Sequence, residues 1–476
     1  MKSTYLKSQI KQVDKLAAKY LKISSYDLMK KASQAIFNYV HQFSHLLVVA
    51  GAGNNAGDGY VIAKLAKQQG KRVLVWSLFA IDKLPKDAKQ AADDYMDAGG
   101  KVVSQIEHHD FDCIIDAIFG TGLCREISGN YAKAINWINQ QKCQKVSVDI
   151  PSGLDADTGN ILGCAVIANM TITVICYKPG LLTNNGKGTC GTLFLEELNI
   201  PSGTFKSIQS VAYVLQRSDL KSNYFFRQNN SHKGTFGTVI IAGGHDGMLG
   251  ALLLAGKSAL RSGCGLVEVV SNNDQAVMLS IHCPELMTSN SIKASRTMTK
   301  ANVIAVGPGL GLNTESKSVV MHCIKQNKLM VLDADALTLI ANNYQFDHNV
   351  ILTPHPKEAA TLLGTDVKTI QNNRILAAKQ ISKKYKAVTI LKGSGTVVAD
   401  STGKTFICPY GYSGMSTAGM GDVLTGVVAS IVAQGAPLLQ AAYVAVLWHA
   451  LAAESCHKGI GLIASDVIEQ LPSELL

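Results

Sequence analysis

At 476 residues the chain exceeds one ordinary core, and 47% hydrophobic residues, 42 glycines and 17% charged residues exclude disorder and fit a large two-domain α/β protein. The formal charge of +10 comes from scattered Lys and Arg without an aromatic-basic stripe, which argues against nucleic acid and suits pyrophosphate-bearing ligands equally well. Eleven cysteines, an odd number with no Cys-x-x-Cys pair, offer neither disulfide logic nor zinc spacing, so a reducing cytoplasm is expected.

The chain opens on charge without the apolar run of a secretory signal, and stretches such as Ala441–Leu447 are too short to cross a membrane. Helical spacing of apolar residues runs through Ile10, Val13, Leu16 and Ala17, and again through Leu28, Met29, Ala32, Ile36 and Phe37. A buried strand is expected at Leu46–Ala50, followed by the loop Gly51–Gly59 and a helix from about Tyr60. Further strands read as Arg72–Leu78, Cys113–Asp116 and Val146–Asp149, with a helix between the last two. Apolar runs alternating with helices indicate a parallel, doubly wound sheet covered on both faces.

The pattern weakens between Asn199 and Ser231, which places a domain boundary near 210 and yields domains 1–210 and 211–476. The second restarts at Thr238–Ala242, followed by Gly243-Gly244 and a helix rich in Gly and Ala. Strand signals recur at Leu266–Val270, Val303–Val306, Met330–Leu332, Val350–Leu352, Val388–Leu391 and Thr396–Ala399.

In the first domain the loop Gly51–Gly59, Asp116 before Gly120-Thr121-Gly122, and Asp149 before Ile150-Pro151-Ser152-Gly153 all terminate strands. Carboxyl ends of parallel strands share one crevice, so the three features should converge. Gly51–Ala56 formally matches a dinucleotide fingerprint but lacks the acidic residue expected about 20 positions on, which disfavours hydride transfer. Asn54, Asn55 and Asp58, with Asp116 and Ser152, form an all-oxygen set suited to a hard cation. Taken singly, Asn54 and Asn55 read equally as turn stabilisers. Asp149 is a loop carboxylate or a proton-transfer group.

On Gly51–Gly59, Asp116–Leu123, Ser128-Gly129, Asp149–Gly153 and Lys178-Pro179-Gly180, the first domain resembles the NAD(P)H-hydrate epimerase family. The resemblance implies a Rossmann-like fold that interconverts R and S hydrates of NADH or NADPH, with Asp149 moving the proton. It implies K+ on Asn55, Asp116 and Ser152. Substrate would lie against Asn54, Asn55, Ala56, Gly57 and Asp58, against Gly120, Thr121, Gly122, Leu123, Cys124, Arg125 and Glu126, and against Asp149. The sequence departs from the family at Ala56, where glycine is usual; the added methyl is expected to crowd a phosphate-cradling turn.

In the second domain, Gly307–Gly311, Asp333–Leu337, Thr353–Glu358 and Lys392–Thr396 each follow a strand. Gly419-Met420-Gly421-Asp422 then runs into an apolar helix, whose open N–H groups and dipole favour a phosphate; Asp422 beside it could take a proton from a hydroxyl, or simply cap the helix. His355 between two prolines also reads as a rigid exposed turn, and Lys392 as a surface lysine.

This ordered set is similar to the ADP-dependent NAD(P)H-hydrate dehydratase family, ribokinase-like in fold. The resemblance implies contacts of the hydrate with Ala251, Gly309, His355 and Asp422. AMP would lie on Lys392, Gly393, Ser394, Gly395, Thr396 and Gly421, with Mg2+ as helper and ADP as co-substrate. Asp422 would be the base in phosphorylating C6–OH before phosphate is eliminated. Leu249, Tyr412 and Ala418 stand where the family has proline, asparagine and glycine, the last two at the nucleotide site. The whole reads as a bifunctional cytoplasmic repair enzyme acting on small molecules, expected to form a homo-oligomer. A vitamin or sugar kinase and a silenced nucleotide-binding protein are the rivals.

Overall fold

The computed structural model describes residues 1–106, 110–220, 227–271, 277–342 and 344–475. Two compact units divide between Tyr213 and Val214, with Met1 grouped with the second.

The first unit is built on a seven-stranded sheet. In chain order its strands are β1 His45–Ala50, β2 Arg72–Ser77, β3 Lys101–Val103, β4 Cys113–Ala117, β5 Gln144–Val148, β6 Met170–Val174 and β7 Thr192–Glu196. They lie in the order β3-β2-β1-β4-β5-β6-β7, every pair parallel. β1 is therefore flanked by β2 and β4, and the order reverses there; ligands of such sheets bind beyond the strand ends at this switch. Alternation along β1 sends Leu46, Val48 and Ala50 into one apolar core and Leu47 and Val49 into the other. Both faces are thus covered, as an all-parallel sheet requires.

The helix after β1 spans Asn54–Gln68 and so begins six residues before the expected Tyr60. Its glycines are there for contact rather than for a turn. A Cβ on Gly57 would come within 2.7 Å of Met29, and one on Gly59 within 2.6 Å of the Ala117 methyl. Composition suggested a loop, and tertiary packing overrides it.

In the second unit the strands are β8 Thr238–Ala242, β9 Leu266–Val270, β10 Met287–Ser289, β11 Val303–Val306, β12 Leu329–Leu332, β13 Val350–Leu352, β14 Val388–Leu391, β15 Thr396–Ala399 and β16 Thr405–Cys408. They run β16-β15-β14-β13-β12-β11-β8-β9-β10. From β14 to β10 all pairs are parallel, while β15 and β16 add on antiparallel. The switch here lies at β8, between β11 and β9. The helix Met420–Ala433 is almost entirely buried, and no described helix is long and apolar enough to cross a membrane.

Candidate active sites

At the switch of the first sheet, Asp116 ends β4 fully buried. Its Oδ2 accepts from Ser147 Oγ and from Ser152 N, both at 2.8 Å, and its Oδ1 accepts from Ser152 Oγ at 2.5 Å. Ser152 Oγ in turn accepts from Phe119 N at 2.8 Å. Two loops that are separate in sequence are thereby tied together. Asn55 packs against the same turn, 3.4 Å from where a Gly120 Cβ would stand, and its buried Nδ2 has no partner among the described residues.

Burial pushes the pKa of Asp116 up against these hydrogen bonds, and no described basic side chain pairs with it. A buried carboxylate with one unfilled amide beside it fits a monovalent cation held by oxygens, because one positive charge offsets the burial cost. The two ends of an amide are interchangeable by rotation, so Asn55 can present oxygen to such an ion.

Asp149 sits past the end of β5 at φ 66°, a left-handed conformation that Asp tolerates better than most residues. Its Oδ1 accepts from Lys178 Nζ, from Thr173 Oγ1 at 3.1 Å and from Val174 N at 3.1 Å. Lys178 is 1% exposed; burial pulls its pKa down, but facing Asp149 it ends above its ordinary value. Two further carboxylates feel this pair. Asp58, bonded to Ser33 Oγ at 3.0 Å, is pushed up to about 8 by burial and by Asp149 and Asp14. Asp14, from the helix Lys7–Leu21, is pushed to about 6 by burial, with Lys178 opposing and Asp149 adding.

Of the expected substrate residues, Asn54 is exposed at the helix start, whereas Ala56 is buried. Its methyl joins the core rather than crowding a turn, which corrects the expectation. Gly120 and Thr121 are half-buried, and Gly122, Cys124, Arg125 and Glu126 are exposed. Leu123 turns into the apolar core, so it offers a ligand only its backbone. Neither Asp14 nor Ser33 carried a sequence signal.

In the second unit Asp333, 2% exposed at the end of β12, anchors the site. Its Oδ1 accepts from Lys392 Nζ at 2.7 Å and its Oδ2 from Thr425 Oγ1 at 2.8 Å. Burial would raise its pKa, but Lys392 and the hydroxyls hold it below the usual carboxylate range. Lys392 is thus a paired lysine of the site and not a solvated one. The helix Met420–Ala433 starts on Gly419 at φ 89°, a conformation natural to glycine. A Cβ on Gly421 would stand 3.3 Å from Lys392 Nζ, so the helix N-terminus rests directly on the ion pair. Asp422, in the first turn, is pushed up to about 6 by burial and Asp333, with Lys392 opposing.

His355 caps the helix Pro356–Leu363: its Nδ1 accepts from Lys357 N and Glu358 N, and its own N–H donates to Glu358 Oε2 at 2.7 Å. Glu358, 4.0 Å from Lys392 Nζ, is pushed up to about 7, chiefly by burial. Gly309 lies against the start of the helix Leu249–Arg261, where a Cβ would stand 3.4 Å from that of Ala251. These two expected residues are therefore neighbours. Ser394 is exposed and Thr396 Oγ1 donates to Gly393 O at 3.0 Å. Ala418 is exposed, with no left-handed φ for its methyl to oppose. Tyr412 Oη donates to Gly459 O at 3.2 Å, a structural bond. Leu249 occupies the first turn of its helix without strain.

The family model described as NAD(P)H-hydrate dehydratase matches residues 239–473, and the YjeF-related protein N-terminus model matches 25–180. A bifunctional NAD(P)H-hydrate repair enzyme of Coxiella burnetii is 35% identical over 98% of both chains. One from Escherichia coli is 36% identical over 97% of this chain and 92% of its own. Among solved structures, an ADP/ATP-dependent NAD(P)H-hydrate dehydratase from Bacillus subtilis, co-crystallised with ATP and Mg2+, superposes with a TM-score of 0.50 and 29% identity. It covers 55% of this chain and 97% of its own. With both units matched in one polypeptide, and relatives aligned from end to end, the chain belongs to the bifunctional NAD(P)H-hydrate repair enzyme family.

Proposed function

We propose that the first unit interconverts the R and S hydrates of NADH and NADPH, and that the second dehydrates the S form at the expense of ADP, giving AMP and phosphate. The observation that carries this reading is the pairing, in one chain, of two different charged crevices. One is the Asp149–Lys178 pair past the end of β5; the other is a glycine-led helix N-terminus set over Asp333–Lys392.

In the first crevice the Asp149 carboxylate takes the C6 hydroxyl proton, the ring opens at the C6–N bond, and reclosure on the other face returns the proton. Lys178 donates to the Asp149 carboxylate and holds it in place. Asn54, Asp58 and the Gly120–Glu126 loop line the substrate, and Asn55, Asp116 and Ser152 would hold K+. That ion would offset the buried carboxylate and stiffen the loop junction.

In the second, Asp422 accepts the proton of the C6 hydroxyl as the oxygen attacks the terminal phosphorus of ADP; AMP leaves, and phosphate then departs as a C5 proton is lost and the double bond re-forms. Ala251, Gly309 and His355 contact the hydrate. Lys392–Thr396 and Gly421 receive the nucleotide. Mg2+ beside the phosphates would neutralise charge during transfer.

The test is recovery of the near-ultraviolet absorbance of NADH from an R/S hydrate mixture with ADP, Mg2+ and K+. Complete recovery is expected. Recovery of nothing, or turnover of ATP with small alcohols instead, would replace the reading with a kinase or a binding protein.

A further inference from the structure

Arg374, at the first position of the helix Arg374–Tyr385, is 2% exposed, and no described Asp or Glu lies within ion-pair reach of it. A buried guanidinium without a carboxylate is costly. Burial alone lowers its pKa to about 10. Its donors go elsewhere: Nη2 donates to Leu391 O at 3.1 Å and to Lys392 O at 3.0 Å, and Nη1 donates to Gln371 Oε1 at 2.6 Å. Nε has no partner among the described residues.

The two carbonyls it holds begin the Lys392–Thr396 loop. In a trans peptide the N–H points opposite to the C=O, and no peptide here is cis. Anchoring Leu391 O fixes the next peptide so that Lys392 N donates to Pro354 O at 2.9 Å on the neighbouring strand end. Anchoring Lys392 O turns Gly393 N–H away from the guanidinium, and Gly393 is exposed. A Cβ on Gly393 would stand 3.0 Å from both Nη1 and Nη2, at φ 137°; only glycine lets the chain lie this close.

We propose that Arg374 is a positioning residue for the phosphates of the nucleotide, resting on the reading that this loop binds ADP. It acts in two ways. It locks the Lys392 carbonyl inward so that Gly393 N–H is set outward to meet a phosphate oxygen. Its uncompensated charge beneath the loop adds to that of Lys392, whose own charge Asp333 largely neutralises. Loop order therefore does not depend on bound nucleotide, and the phosphate-bearing part of the ligand gains more than the nucleoside part.

The test is calorimetric titration of the full chain with ADP, AMP and adenosine, in the wild type, Arg374→Met and Arg374→Lys, with the melting temperature of each. Arg374→Met should weaken ADP about tenfold and leave adenosine within about twofold. Arg374→Lys, which keeps charge but loses the two-carbonyl fork, should fall between. A folded Arg374→Met that binds ADP as the wild type does would overturn the proposal, as would equal losses for ADP and adenosine. If Arg374→Met does not fold, Arg374→Lys decides: unchanged ADP affinity overturns the role, and selective loss supports it. A wild type that binds none of the three nucleotides overturns the ADP reading itself, an outcome distinct from a failure of Arg374 alone.

Discussion

Lys392 Nζ donates to Asp333 Oδ1 at 2.7 Å directly under the helix turn that carries Asp422. The pair supports the helix N-terminus sterically and sets its electrostatics, since Asp333 raises the pKa of Asp422 and Lys392 lowers it.

A base must be ionised to accept a proton. With Asp422 pushed up to about 6, its ionised fraction falls as pH drops through that value, and the dehydratase rate should fall with it. Asp422→Asn should lower dehydration by about 10²–10⁴-fold and spare epimerisation. Lys392→Met removes the opposing charge, so the acid limb should move to higher pH. A pH–rate profile of NADH recovery reads all three, and an Asp422→Asn enzyme of near-normal rate would dismiss the assignment.

The Asp149–Lys178 pair should separate epimerisation from dehydration. In Asp149→Asn the left-handed backbone persists, because Asn tolerates it, but the proton acceptor is gone. From an R/S mixture only the S share should then be repaired quickly. Lys178→Met should do the same and also cost about 3 kcal/mol, because it leaves Asp149 without its counter-charge. Rapid repair of the whole mixture by Asp149→Asn would remove Asp149 from the mechanism, and by Lys178→Met would remove Lys178 as its support.

Asp58 predicts a pH-dependent stability. Its folded pKa, about 8, lies above the ordinary carboxylate value of 3.8, so between these the folded state binds the extra proton. Its contribution to stability is present at low pH and is lost as pH rises through that window. Asp58→Asn should therefore gain melting temperature over the wild type progressively across it, by roughly 5 °C or more at the alkaline end. A difference that is flat with pH would show that Asp58 ionises normally.

If Asn55, Asp116 and Ser152 hold K+, added K+ should raise the melting temperature of the wild type by mass action, and Asp116→Asn should abolish the increment. Equal effects of K+ and Li+ would argue against a sized site.

Ala418→Gly should change dehydratase turnover by less than about twofold, since the methyl is exposed on an unstrained backbone. A large gain would mean that the family's glycine is needed for nucleotide approach.

The alternation of apolar runs and helices, and the carboxylates and glycines at strand ends, were legible in the residues because strand period and turn chemistry are local. Hence β1, β4 and β5 lay where expected, whereas the apolar helix begins at Met420, within the expected Gly419–Asp422 loop. The short edge strands β3 and β10 were not read, since an edge carries little apolar pattern; β16, fully buried and not at an edge, was missed as well. The start of the helix Asn54–Gln68 was missed because its glycines serve contacts with Met29 and Ala117, which are remote in sequence. The charge state of a carboxylate was invisible too. Asp14, Asp58 and Glu358 look like ordinary acids in a string of letters. Their shifts arise only when folding removes water and brings Asp149, Lys178, Asp333 or Lys392 beside them. The sequence by itself determined the layers and the families, because periodicity and motifs are written along the chain. Which acids keep their protons, and which arginine supports a loop from below, depended on desolvation and distance, which exist only in the folded structure.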